Sequence, residues 1–192
     1  MTDLILIFIS ASLVNNFVLA RFLGICPYFG VSKSIDTSLG MSLAVIFVMT
    51  IAGIITWIIN YTILIPLDLT YLRIIIFILV IATLVQFVEM AIRKVSPVLY
   101  NALGIYLPLI TTNCAILGAV LLNIQNEYSF LEMLVFTLGS STGFGFALVI
   151  FAGIRERVNY SDVPLHFRGA PIAFIIAGIL SLAFMGFSGL VR

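Results

Sequence analysis

Six uncharged, largely apolar runs divide this chain of 192 residues, at 4–20, 37–67, 74–88, 95–126, 133–154 and 169–191. A bilayer core of about 30 Å takes roughly 20 apolar residues per helix, and runs of this order suffice once their flanking side chains snorkel to the interface. The stretch Ile74-Ile75-Ile76-Phe77-Ile78-Leu79-Val80 lacks the alternation of a barrel strand. Only 9% of residues are charged, against about 25% in a soluble domain, so the chain cannot coat a water-facing surface. Its longest polar stretch, 155–168, is only a loop, which leaves no soluble domain to house a nucleotide or flavin. Asp3 and the absence of a basic segment before the first run argue against a cleaved signal peptide. The net charge of +1 singles out no partner, and no nucleic-acid partner is expected.

The fold expected is an all-α polytopic membrane protein, a single integral domain over 1–192. Helices are predicted at 4–26, 39–60, 71–93, 99–123, 131–153 and 170–190, joined at 32–38, 61–70, 94–97, 124–130 and 155–169. Loops on one side hold Lys33, Arg93, Lys94, Arg155, Arg157 and Arg168, whereas the other side holds Arg73 and Arg192. The positive-inside rule then puts both termini on the non-cytoplasmic side. Three spans per half make two repeats, approximately 1–93 and 94–192, that must be inverted relative to each other.

The halves share more than a helix count. Leu19 to Gly30 contains Cys26, and Leu107 to Gly118 contains Cys114. Each has a Leu seven residues before the cysteine and a Gly four after it, with the cysteines 88 residues apart. Both segments carry helix breakers. Pro27 is expected to push Cys26 out of helical geometry, and Pro108 removes one helical hydrogen bond. Thr111, Thr112 and Asn113 can satisfy the freed backbone. Irregular backbone at membrane depth is tolerated where protein or a cavity surrounds it, so helices one and four are expected to be broken near the cysteines.

Two buried cysteines could simply pack, but the matched flanks point to a two-fold site. A disulfide lacks an extracellular anchor. Four thiolates around zinc would make a closed structural site, which does not explain a position inside a membrane. An iron–sulfur cluster typically takes four thiolates, so this chain would supply two and a partner the rest. Arg21, five residues before Cys26, either snorkels to the cytoplasmic face or compensates an anionic cluster. Glu89 is the one acid within a predicted span; it either pairs with Arg93 one helical turn on or faces a cavity as a carrier of cations or protons. Asn15 and Asn16 suit helix packing or an ion path. Gly139, Gly143 and Gly145, with Ser140, Ser141 and Thr142, make a small face suited to close helix packing. Arg155-Glu156-Arg157 reads as a solvated flank, and His166 has no ligand companions. No Walker loop, dinucleotide fingerprint or nucleophile–His arrangement is present, and Gly143-Phe144-Gly145 lacks the required glycine spacing.

The segments Val14–Leu19, Phe22–Pro27, Leu107–Ala115, Ile154–Arg157, Phe167–Gly169 and Ser181–Gly189 resemble the A subunits of Rnf complexes. The resemblance covers essentially the whole chain. The homologous E subunit of the sodium-pumping NADH:quinone oxidoreductase is similar too, but that family typically has an acidic residue where Asn15-Asn16 stands, which favours Rnf. The resemblance implies a bacterial or archaeal cytoplasmic (inner) membrane complex that passes electrons between ferredoxin and NAD while moving Na+ or H+. It implies pairing with the homologous, oppositely oriented E subunit, with D, G, B and C subunits alongside and lipid around them. It also implies a 2Fe-2S cluster held by four cysteines, two of them Cys26 and Cys114. Electron relay and ion translocation without a complete active site in the chain itself is therefore the function expected. Rival readings are a stand-alone secondary transporter whose cysteines merely pack, and a scaffold that only seats redox subunits.

Overall fold

A computed structural model of the chain describes residues 2–95 and 108–189. The start of the expected fourth helix (99–107), residues 96–97 of the preceding connection, the repeat's opening Leu107 and the terminal Arg192 lie outside the described residues. Among the described residues, every regular element is helical.

The expected helix over 4–26 is two pieces. α1 (Thr2–Ile9) widens into a π turn at Ser10–Val14, where the Asn15 N–H reaches back five residues to the Ser10 carbonyl at 2.7 Å. Residues 15–24 follow without regular structure, and α2 (Ile25–Val31) resumes the helix. Phe22 (φ 57°) and Gly24 (φ 78°) are both left-handed and swing the chain into α2. Pro27 does not exclude Cys26 from the helix as expected. It lies in the first turn of α2, where its missing N–H would have had no helical partner anyway.

α3 (Ile35–Ile59) starts four residues earlier than expected because Ser34 caps it, accepting from the Thr37 N–H at 3.4 Å, with Asp36 in the first turn. It runs on through a π turn at Asn60–Leu64. α4 is Arg73–Val95. α5 (Pro108–Thr111) and α6 (Cys114–Gln125) are separated at Thr112 and Asn113. α7 (Phe130–Asn159) starts at Ser129, whose N–H and hydroxyl both donate to the Glu132 carboxylate at 3.0 and 2.8 Å. It outruns its expected end at 153. α8 is Ala170–Met185.

α7 is the central element. Within their most apolar windows, 56% of α7 is buried against 22% of α4, so α4 forms the periphery. The small face of α7 admits its neighbours at backbone distance. A methyl group at Gly143 would lie 2.5 Å from the Ser12 carbonyl oxygen, one at Gly139 3.0 Å from that of Phe8, and one at Gly145 3.0 Å from Ser42 Cβ on α3. Around this crossing, Met41, Val45, Met49, Phe144, Ala147, Leu148 and Phe151 are fully enclosed. The outward faces are apolar too, with Leu43, Phe47, Leu79, Phe87 and Leu182 all exposed. A chain apolar inside and out suits a bilayer rather than water. Three stretches, Ile35–Leu64, Arg73–Met90 and Phe130–Asn159, are long and apolar enough to cross one; Leu4–Val14, Leu109–Gln125 and Ala170–Met185 are apolar but shorter.

Candidate functional site: two interlocked cysteine segments

The unwound segment 15–24 exposes backbone polar groups that lipid cannot satisfy, and most of its hydrogen bonds can be traced. Asn16 is fully buried and folds back on its own chain. Its Oδ1 accepts from the Val18 and Leu19 N–H groups at 3.1 and 3.4 Å, and its Nδ2 donates to the Gly143 carbonyl on α7 at 2.7 Å. Its backbone carbonyl takes the Ala20 N–H, and the Phe17 carbonyl takes that of Leu23. From α8, the Ser181 hydroxyl donates to the Leu19 carbonyl at 2.6 Å.

The last donor of the segment crosses to the other half of the chain. The Gly24 N–H donates to Cys114 Sγ at 2.9 Å, across 90 residues of sequence. The two segments interlock around that bond. A methyl group at Gly24 would sit 2.7 Å from the Phe144 ring, 3.1 Å from Asn113 Oδ1 and 3.2 Å from Ala115 Cβ, while Leu23 fills the notch left by Gly118. Asn113 caps α6, its Oδ1 accepting from the Ala115 N–H at 3.0 Å, so Cys114 is the first helical residue. α6 thus points the positive end of its dipole at a sulfur, which suits a ligand of an anionic centre.

Both cysteines are unbridged and exposed at the surface of the chain. Two sulfur donors facing outward, one of them held by an amide N–H, suit a group completed from outside the chain. A second sign lies beside them: Asn113 is buried, and its Nδ2 has no hydrogen-bond partner among the described residues. An amide donor left unpaired next to a thiolate-rich centre would find an acceptor there. The donor set therefore fits an iron–sulfur cluster. Among the described residues no three His, Cys, Asp or Glu side chains converge, so a group that needs four thiolates would find two candidates here, Cys26 and Cys114, and would need the rest from outside these residues.

The other sequence candidates separate. Asn15 is exposed, donates to the Ser10 hydroxyl at 3.1 Å, and lines a cavity of about 270 Å³ with Arg21, Asn126 and Tyr128. A guanidinium in that wall raises an electrostatic barrier to a bare cation. Thr111 is half-buried and Thr112 exposed, both at the break before α6. Glu89 is half-buried on α4, the peripheral helix that packs on α5 and α6. His166 is exposed in a short turn at Leu165–Phe167.

The sequence matches the family described as "Rnf-Nqr subunit, membrane protein" over residues 4–191. The chain belongs to the Rnf-Nqr family. Its relatives include the A subunit of the ion-translocating oxidoreductase complex of Syntrophotalea carbinolica, 62% identical over 100% of this chain and 99% of that protein. The A subunits of the complexes so described from Pseudoalteromonas translucida and Escherichia coli are 57% and 58% identical over the full length of both chains. The resemblance drawn from the cysteine segments and the Arg155 region thus holds over the whole sequence. Membership in a family of membrane proteins, together with several apolar helices, makes this Rnf-Nqr chain a multi-pass membrane protein.

Arg155 requires a correction. It is not part of a solvated flank. It reaches inward from α7, and one of its terminal nitrogens donates to the Phe29 carbonyl at 2.9 Å and the Ser32 hydroxyl at 2.7 Å. Its guanidinium also lies 5.6 Å from the centre of the Phe151 ring. It thereby satisfies an end carbonyl of α2, the helix that carries Cys26. The one sequence hint was the spacing of Phe151 and Arg155, four residues apart on a single helical face. Gly24 stood out in the sequence only as a residue that loosens the flank of Cys26, and no local pattern signalled its approach to Phe144.

Proposed function

We propose that this chain is the A-type membrane subunit of an ion-translocating ferredoxin:NAD oxidoreductase complex of the Rnf kind. Cys26 and Cys114 supply two of the four thiolates of a 2Fe-2S cluster, and the homologous E subunit supplies the other two. The observation that carries this reading is the Gly24-to-Cys114 hydrogen bond, which joins the two cysteine segments while both thiols face outward. When bound, such a cluster takes up and releases one electron at a time within the membrane.

The chain's own residues hold that centre in place. Asn16 stabilises the unwound segment against α7, Arg155 fastens the far end of α2, and Asn113 starts α6 at Cys114. The helix that carries Cys26 is thus tied to Cys114 just before its start and to α7 at its far end, an arrangement that limits reorganisation. Six spans in two inverted repeats of three, with both termini outside the cytoplasm, would place the two breaks near the bilayer midplane, where Na+ or H+ coupling sites of inverted-repeat proteins lie. The D, G, B and C subunits complete the complex in the inner membrane and hold the flavin and nicotinamide chemistry that this chain has no domain for.

Thiol protection in the purified native complex tests the ligand assignment. Cys26 and Cys114 should resist a small alkylating reagent while iron is present, and both should be modified after chelation and oxidation strip the iron. Modification of both thiols in the iron-loaded complex would reject the assignment and favour a transporter whose cysteines only pack.

A further inference from the structure

Gly24 lies two residues before Cys26, yet its amide serves the other cysteine, donating to Cys114 Sγ at 2.9 Å. The contact is built into the fold. Gly24 holds φ +78°, a conformation that L side chains rarely adopt. No side chain fits there, because a methyl group would meet Phe144, Asn113 Oδ1 and Ala115 Cβ at 2.7, 3.1 and 3.2 Å. Leu23, seated against Gly118, fixes the peptide from its other side. The strained turn at Phe22, φ 57°, points the Gly24 N–H out of its own helix and toward the sulfur. A helix of ordinary geometry through this segment would have spent that N–H on the carbonyl four residues back.

Hydrogen bonds to ligating sulfurs are among the main determinants of the potential of an iron–sulfur centre. A donor to sulfur stabilises whichever redox state carries more negative charge, which is the reduced one. We propose that Gly24 is a positioning residue of the redox centre: its backbone amide orients the Cys114 sulfur and raises the potential of the cluster bound there. The inference rests on the cluster reading above.

The test uses the whole complex from cells grown on 15N-glycine, reduced to its paramagnetic state and examined by hyperfine sublevel correlation spectroscopy. Wild-type complex should show a weak 15N coupling, and Gly24→Ala, whose residue 24 carries no label, should lose it. Crowding at the new methyl group withdraws the amide from sulfur, so the one-electron reduction equilibrium should become about tenfold less favourable, a midpoint about 59 mV lower. If Gly24→Ala does not assemble, the double variant Gly24→Ala/Phe144→Leu, which removes the ring that crowds the methyl group, carries the comparison of the 15N coupling. A coupling absent from wild type, or unchanged in the variant, overturns the proposal. So does a variant with less cluster but an unchanged midpoint, since that is the behaviour of a glycine that only packs. A complex without any iron–sulfur signal would overturn the cluster reading itself, and this inference with it.

Discussion

Asn16 explains how the chain leaves its first helix without stranding the backbone that follows. One side chain accepts two N–H groups of the unwound segment and donates to α7, so the break carries its own local substitute for a helical turn. Asn16→Leu keeps the volume and removes every one of these bonds. Each orphaned buried group costs about 1–3 kcal/mol, so the variant should lose several degrees of thermal stability in detergent, with segment 15–24 exchanging amide hydrogens faster than α3. Its neighbour Asn15 is exposed and bonds only Ser10; Asn15→Ala should stay within about 0.5 kcal/mol of wild type in the same melt. The sequence showed two adjacent amides in an apolar run and offered no means of ranking them. Their difference is set by Gly143, 127 residues away from Asn16, and no local pattern encodes a contact of that separation.

The sequence was most informative about helical elements. Uncharged runs located the helices because lipid forbids unsatisfied backbone, and the glycines of α7 foretold close packing because they leave room for a neighbouring backbone. Paired alanine substitutions test that second point. Gly143→Ala would thrust a methyl group to 2.5 Å from the Ser12 carbonyl oxygen and should cost about 1–3 kcal/mol as overpacking. Gly153, in the same helix, has nothing within 4 Å of its added methyl group; Gly153→Ala should be neutral or stabilise by up to about 1 kcal/mol. A thermal melt of both variants should therefore separate them in opposite directions. Helix ends and inward charges were less legible. Arg155 looked like a cytoplasmic flank because a loop was expected to begin there, whereas α7 continues to Asn159 and turns Arg155 onto α2. Arg155→Leu leaves the Phe29 carbonyl and Ser32 hydroxyl without their charged donor, a loss of about 1.5–3 kcal/mol. Faster hydrogen exchange confined to α2 is the expected readout, and Arg155→Lys should restore it only in part, since lysine lacks the planar guanidinium that lies over Phe151.

At the scale of the whole molecule, a peripheral α4, a buried α7 and two exposed thiols describe a chain built to be completed by another. Membership in the Rnf-Nqr family was legible because the segments around Cys26, Cys114 and Arg155 resemble those of Rnf A subunits, whereas the leucine and glycine spacing repeated in both halves pointed only to a two-fold site. The bond that joins those halves was not legible, since its donor is a backbone amide, and the residue type alone does not say which way that amide points. Orientation follows from charge alone: reporter groups near Lys33, Lys94 and Arg157 should report the cytoplasm, and groups near Asp68 and Glu127 the opposite side. A cytoplasmic C-terminus would reverse that assignment and the inverted-repeat argument with it. The most direct measurement of the central claim is electron paramagnetic resonance of the reduced complex carrying Cys26→Ser or Cys114→Ser. Oxygen is a poor substitute for thiolate on iron, so the expected result is a complex that assembles but has lost, or markedly shifted, one 2Fe-2S signal in each variant and no longer passes electrons. Both variants retaining the wild-type signal and electron transfer would contradict it.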